Sequence, residues 1–409
     1  MSTTVEHSQH PPLIEQINTI RTRALIAGVV SLAVCGVALF ADPRSFYESY
    51  LLGYIYWWQF AIGGLGLALL HQLVGGYWGV SVRPMLAAAS STILPLAVLA
   101  VPIYLGIGYI FPWANEEYIH SNHLLEQKQF FLNEPFFVMR APIYFGIWLF
   151  LAFTLNTATK RQMRSTGLPN AEGLKFISGM GLLALFLSAT FASFDWIMSL
   201  DPLWYSTIYG ALVIVGGGVA MFALCAAVAA LLPFQLKGKD VTIYSASRNT
   251  LGDLGTLLLA FIMLWTYFAF SQYIIIWNGN LPEEISWYLI RREHGWAIVS
   301  ILLGLFHFVV PFFCLVSRSF KQTPKLLGGL AIGILVMRLV DVFWNIVPSL
   351  ERSGFQIAWT DPFAVVGIGG LWMAAFLWKL PSFLTDDTLN APRGLFDLTA
   401  TEEEEHTHG

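Results

Sequence analysis

Charged residues are scarce in this chain. Only 12% of its 409 residues are Asp, Glu, Lys or Arg, where a soluble domain carries about 25%. That shortage excludes a molecule that meets water over most of its surface. It also excludes a basic face for nucleic acid. Cysteine is nearly missing too. Cys35, Cys225 and Cys314 each sit in an apolar run with no C-x-x-C spacing. A disulfide framework, a cluster site and covalent haem are thereby excluded, and the three cysteines read as packing residues. No cleavable signal peptide is visible. The first 20 residues are polar and include "HPP", so the first apolar run is expected to stay as an anchor.

Apolar sequence fills the rest. Hydrophobic residues make up 56% of the chain, and the mean hydropathy is +0.62. A bilayer core of about 30 Å needs roughly 20 apolar residues per helix. Ten such runs stand near 22–41, 50–72, 84–111, 137–159, 175–198, 207–232, 251–277, 295–317, 326–349 and 361–379. The expected fold class is an all-α integral membrane protein of ten transmembrane helices. Residues 1–21 form a cytoplasmic segment, 22–379 the membrane domain and 380–409 a cytoplasmic acidic tail.

Lys and Arg divide unevenly between the two sets of loops. With the N-terminus inside, 15 fall on the inner side and 6 on the outer, Arg140 and Arg291 among the six; Arg338 lies between. This bias predicts both termini in the cytoplasm. The outer segments 112–135 and 278–295 are aromatic and amphipathic, suited to the interface or to a docked partner. No loop is long enough for a soluble catalytic domain. The tail "TEEEEHTHG" reads as a solvated acidic end rather than a metal site at His406 and His408. A weak internal repeat pairs runs two to five with six to nine. Gly63, Gly64 and Gly66 answer Gly216, Gly217 and Gly218, and "DWIMSL" answers "FWNIVPSL". The glycines by themselves mean close helix packing.

The stretch "VMRLVDVFWN" places Arg338, Asp341 and Asn345 on one face of a helix, at i, i+3 and i+7. Arg338 is 12 residues into its run, about 18 Å deep. A charge at such depth is costly and marks either a functional site or a structural ion pair. The other polar groups in the runs are His71 and Asp253 toward the inner side, His307 near the centre, and Asp195, Gln59 and Gln272 toward the outer side. Ordered by depth they form a ladder on which protons could be handed along. His71 and His307 sit at different depths, which argues against a haem between them.

Two segments carry a family resemblance: "FASFDWIMSLDPLWYSTIYG" (191–210) and "GDLGTLLLAFIMLWTYFAFSQYIIIWNGNLPEE" (252–284). With the ten-run layout, they resemble the NrfD/PsrC-type membrane subunits, and more narrowly the smaller such subunit of bacterial alternative complex III, a quinol:cytochrome c oxidoreductase. The resemblance implies two four-helix bundles, helices two to five and six to nine, with helices one and ten peripheral. It implies a bacterial cytoplasmic membrane. The implied partners are a larger NrfD-like subunit, a periplasmic iron–sulfur protein, multihaem cytochromes c, small single-span subunits and a terminal oxidase. Haem and iron–sulfur clusters would then sit on partners, and a quinone would be the only cofactor near this chain. Asp195 matches an aspartate that lies near the quinol pocket in the larger subunit; Trp196 beside it would narrow such a pocket. The expected proton route is Asp195, Asp253, His307, Arg338, Asp341 and His71, with Asp195 and Trp196 as the quinone contact. A secondary transporter and a purely structural subunit are the competing readings.

Overall fold

The computed structural model describes residues 13–120, 123–164, 171–231, 248–350 and 354–384. The first twelve residues, Lys237, Lys239, Arg393 and the acidic tail with His406 and His408 lie outside the described residues.

The apolar runs fold as helices: α1 Leu13–Gly36, α2 Pro43–Val74, α3 Tyr77–Ser90, α4 Glu134–Arg164, α5 Ala171–Trp196, α6 Tyr209–Leu231, α7 Arg248–Gly279, α8 Trp296–Val316, α9 Pro324–Ile346 and α10 Thr360–Lys379. No strand occurs among the described residues. Local sequence explains the ends. Asp42 accepts from the Ser45 backbone N–H at 3.2 Å, and Pro43 opens α2 where no N–H is needed. At its other end Gly75 (φ +79°) breaks the helix, its N–H returning to the His71 carbonyl at 2.8 Å. Beyond α3 the chain continues as the short helices Ile93–Leu99 and Val101–Leu105. Pro95 and Pro102 interrupt the hydrogen-bond ladder there. In α8 the turn Leu303–Val309 is π-helical and is followed by Pro311. Proline leaves the carbonyl four residues back without its N–H, which such a widened turn accommodates.

Among the described residues, nine helices are long and apolar enough to cross a membrane. The chain is thus an all-α, multi-pass membrane protein. The expected run 50–72 falls in α2, 32 residues long and mostly buried. Its tyrosines, tryptophans, Gln59 and glycines hold its hydropathy down. A helix enclosed by other helices does not need a lipid-soluble surface. α6 is the most enclosed of the nine, with 78% of its apolar window buried, against 17% for α1. Around the pair, α2 packs on α3, α5 and α10, and α6 packs on α5, α7 and α9. α1 lies along α10, α4 packs on α5, and α8 on α7 and α9. Large apolar side chains such as Phe153 and Phe313 point outward and are exposed, the inverse of a soluble surface.

α2 and α6 meet backbone to backbone. A Cβ on Gly63 would come within 2.1 Å of the Gly217 carbonyl oxygen. Gly216 makes room for a different neighbour: a Cβ there would lie 2.2 Å from Arg338 Nη2. The glycine run of α6 therefore seats one helix with Gly217 and one guanidinium with Gly216.

Candidate functional site

The Gly216 gap receives a polar network between α2, α6 and α9. Arg338 Nη1 donates to Asp341 Oδ2 at 2.8 Å, and Nη2 donates to Gln59 Oε1 at 2.7 Å. Asn345 Nδ2 donates to the Asp341 carbonyl oxygen at 2.8 Å and to Asp341 Oδ1 at 3.3 Å. Tyr209 OH donates to Asn345 Oδ1 at 3.2 Å. All five residues are buried. The i, i+3, i+7 face of α9 thus finds its partners on α2 and α6 rather than in lipid. Burial without partners would cost several kcal/mol per ion.

Asp341 stands at a boundary. On one side it lines a small internal cavity of about 10 Å³, shared with Gln59, Tyr209 and Arg338, near the lower limit for a single water. On the other it lines a groove of about 810 Å³ between α7, α8 and α9, within the usual range for ligand sites. The groove floor also carries Asn345, Trp344, Gln272, Tyr288 and Arg291. Its rim holds Tyr267, Phe270 and Ile301, all exposed, so it opens on the outer, lipid-facing surface of the helices. Gln272 and Tyr288 are joined at 3.1 Å, and Trp344 Nε1 donates to Ser300 Oγ at 2.9 Å.

His307 lies in the π-helical turn beside this network. Its ring is fully buried and meets Trp265 edge to face at 4.2 Å between centroids. The same indole lies 5.9 Å from the Arg338 guanidinium. Among the described residues neither ring nitrogen of His307 has a hydrogen-bond partner.

The other expected residues are placed elsewhere. Asp195 faces α4, where Arg140 grips it from Nε at 2.8 Å and Nη2 at 2.7 Å, and Tyr144 OH donates to Oδ2 at 2.8 Å. Such two-pronged pairs are the strong ones. Trp196 is fully buried, donates to Tyr104 OH at 2.9 Å and packs against Trp58, Trp148 and Phe145. His71 closes the end of α2, its Nε2 3.0 Å from the Gly76 carbonyl oxygen and its ring against Trp78. Asp253 is exposed in the first turns of α7, 12 residues and so about 18 Å along the helix from Trp265. Among the described residues no hydrogen bond joins Asp195, His71 or Asp253 to Arg338 or Asp341.

Sequence reading missed several partners. Arg140 and Arg291, outer-side charges by the loop bias, are both buried. Arg291 closes the end of α9, donating to the carbonyls of Trp344 at 3.1 Å and Asn345 at 2.8 Å, with its guanidinium 3.4 Å from the Trp287 ring centre. Burial there pulls its guanidinium down to about 9. The signal for Arg140 was present: Arg140, Tyr144 and Trp148 follow at i, i+4 and i+8, and opposite them Asp195 and Ser188 share a face of α5. Trp148 Nε1 does donate to Ser188 Oγ, at 2.8 Å. Among the described residues no three His, Cys, Asp or Glu side chains group as a metal site.

Compared with known proteins, the chain matches no protein-family profile and no curated sequence.

Proposed function

We propose that this chain is a non-autonomous membrane subunit of a quinol-oxidising respiratory complex of the NrfD/PsrC type. In this reading it has ten spans, with α2 as the tenth beside the nine apolar ones. Helices α2–α5 and α6–α9 are pseudo-repeated bundles, α1 and α10 are peripheral, and both termini face the cytoplasm of a bacterial cell. The charge bias of the loops and the resemblance of residues 191–210 and 252–284 support it. So does the packing, in which α3, α4 and α5 all touch α2, while α7 and α9 touch α6 and α8 touches both of those, with α2 and α6 joining the two sets.

One observation carries the functional part: Asp341, held by Arg338, is the wall between an internal polar network and a groove that opens toward lipid. A hydroquinone is lipid-soluble and would enter such a groove sideways. Its oxidation releases two electrons and two protons. The electrons pass to haem or iron–sulfur centres on the partner subunits named by the resemblance. One proton passes to Asp341, whose carboxylate Arg338 holds at 2.8 Å, and the other leaves to water on the outer side. Transfer onward through His307 to Asp253 requires water between these groups. A quinone at Asp195 and Trp196, the other reading, requires Trp196 to leave its packed position, since the pair Arg140–Asp195 already occupies that end of α5.

Asp341→Asn keeps an oxygen for Arg338 and removes the proton acceptor. The expected result is an intact assembly whose quinol-dependent turnover falls by about 100-fold. Unchanged turnover, with an unchanged proton-to-electron ratio, would leave only a structural subunit. A secondary transporter would instead purify without haem proteins.

A further inference from the structure

A second groove lies among α3, α4, α10 and the short helix Ile93–Leu99. Its volume is about 560 Å³. Along its length the walls are apolar, with Leu94, Val98, Leu149 and Phe153. At its mouth stand two lysines. Lys160 Nζ lies 4.9 Å from the Phe383 ring centre, and Lys379 Nζ 4.1 Å from that of Trp378. Trp378 is 61% exposed. An exposed tryptophan beside lysines at a helix end is the mark of a membrane–water interface. Among the described residues neither lysine forms a salt bridge.

Just inside the mouth is a patch of neutral polar groups. Asn156, one helical turn below Lys160, donates from Nδ2 to Ser90 Oγ at 3.1 Å and Ser91 Oγ at 3.0 Å. From Lys160 to Leu149 the groove then follows α4 for 11 residues, about 16 Å. The order along it is positive charge, neutral hydrogen-bonding groups, then hydrocarbon. A phospholipid has the matching order: phosphate, glycerol esters, acyl chain.

We propose that this groove is a binding site for an anionic phospholipid, with its phosphate between Lys160 and Lys379, its ester oxygens level with Asn156, Ser90 and Ser91, and one acyl chain laid along α4. The two lysines, which form no salt bridge among the described residues, select the anionic class, since each basic residue near a membrane surface adds to the attraction for negative lipid. The inference needs the chain to cross a membrane and needs nothing of electron transfer.

Native mass spectrometry on the full-length protein, stripped of lipid and titrated with defined lipids, tests it. Phosphatidylglycerol is expected to bind about tenfold or more tightly than phosphatidylcholine. Added salt should erode that preference, and inorganic phosphate alone should not occupy the site. The double variant Lys160→Gln/Lys379→Gln should bind both lipids equally, its unchanged phosphatidylcholine binding showing that it folds. Equal binding of the two lipids by the wild type, occupancy by free phosphate, or a preference that survives in the double variant would each overturn the proposal.

Discussion

Arg140 and Asp195 show what a buried charge demands of its surroundings. Each oxygen of the carboxylate receives a guanidinium N–H, and Tyr144 adds a third donor. Removing the cation alone strands the anion in an apolar core. Arg140→Ala should therefore destabilise the protein by about 3–5 kcal/mol, read as a lowered melting temperature in detergent. Arg140→Gln with Asp195→Asn should lose much less than the sum of the two single changes. Asp201, in the loop after α5, gives a pH signature. Burial raises its carboxyl above the ordinary 3.8, with Arg291 and Lys128 opposing. Above 3.8 the folded state then holds this proton more firmly than the unfolded state, so folding loses stability as pH rises. Asp201→Asn should match the wild type in melting temperature below pH 3.8 and gain on it as pH climbs from there toward neutrality. At this level the sequence was half readable. The spacing of Arg338, Asp341 and Asn345 announced a common face, and Asp195 stood out as an ion within an apolar run. Their partners could not be read. Arg140 and Arg291 sit close enough to the ends of their runs to pass for loop charges, and only packing decides that they turn inward.

Helix boundaries followed hydropathy closely, because apolar length is what a bilayer selects. Two features of the helices did not. The π-helical turn of α8 depends on how the chain relieves Pro311, and no periodicity signals it. The run 50–72 marks α2 as a span, but its central place follows only from what surrounds it. The glycines were legible as close contacts, yet their division of labour was not. Gly63 touches backbone, whereas a Cβ on Gly333 of α9 would meet nothing within 4 Å. Gly63→Ala should force α2 and α6 apart, at about 1–3 kcal/mol or more. Gly333→Ala should be neutral or stabilising by at most about 1 kcal/mol. Thermal melts of the two variants side by side would show the contrast.

As a whole, the molecule is a helical membrane bundle in which α2 and α6 meet along one seam, the other helices packing around them and α1 lying along α10. The broad class was evident from composition, since few charges and many apolar runs leave little else. Neither large groove was. Each is lined by side chains of several helices, α7, α8 and α9 in one case and α3, α4 and α10 in the other, and how those helices meet is a property of three-dimensional packing. The grooves also sit far apart in chain and in chemistry. The one at Asp341 offers a carboxylate and hydrogen-bonding side chains; the one at Lys160 offers positive charge above hydrocarbon.

The seam itself restricts how this protein can work. Where Gly63 meets Gly217, main chain packs on main chain. A motion that parted α2 from α6 there would open a gap that no side chain at that point could fill. In the proposed reading, protons would then move by hops between fixed groups while this contact stays closed.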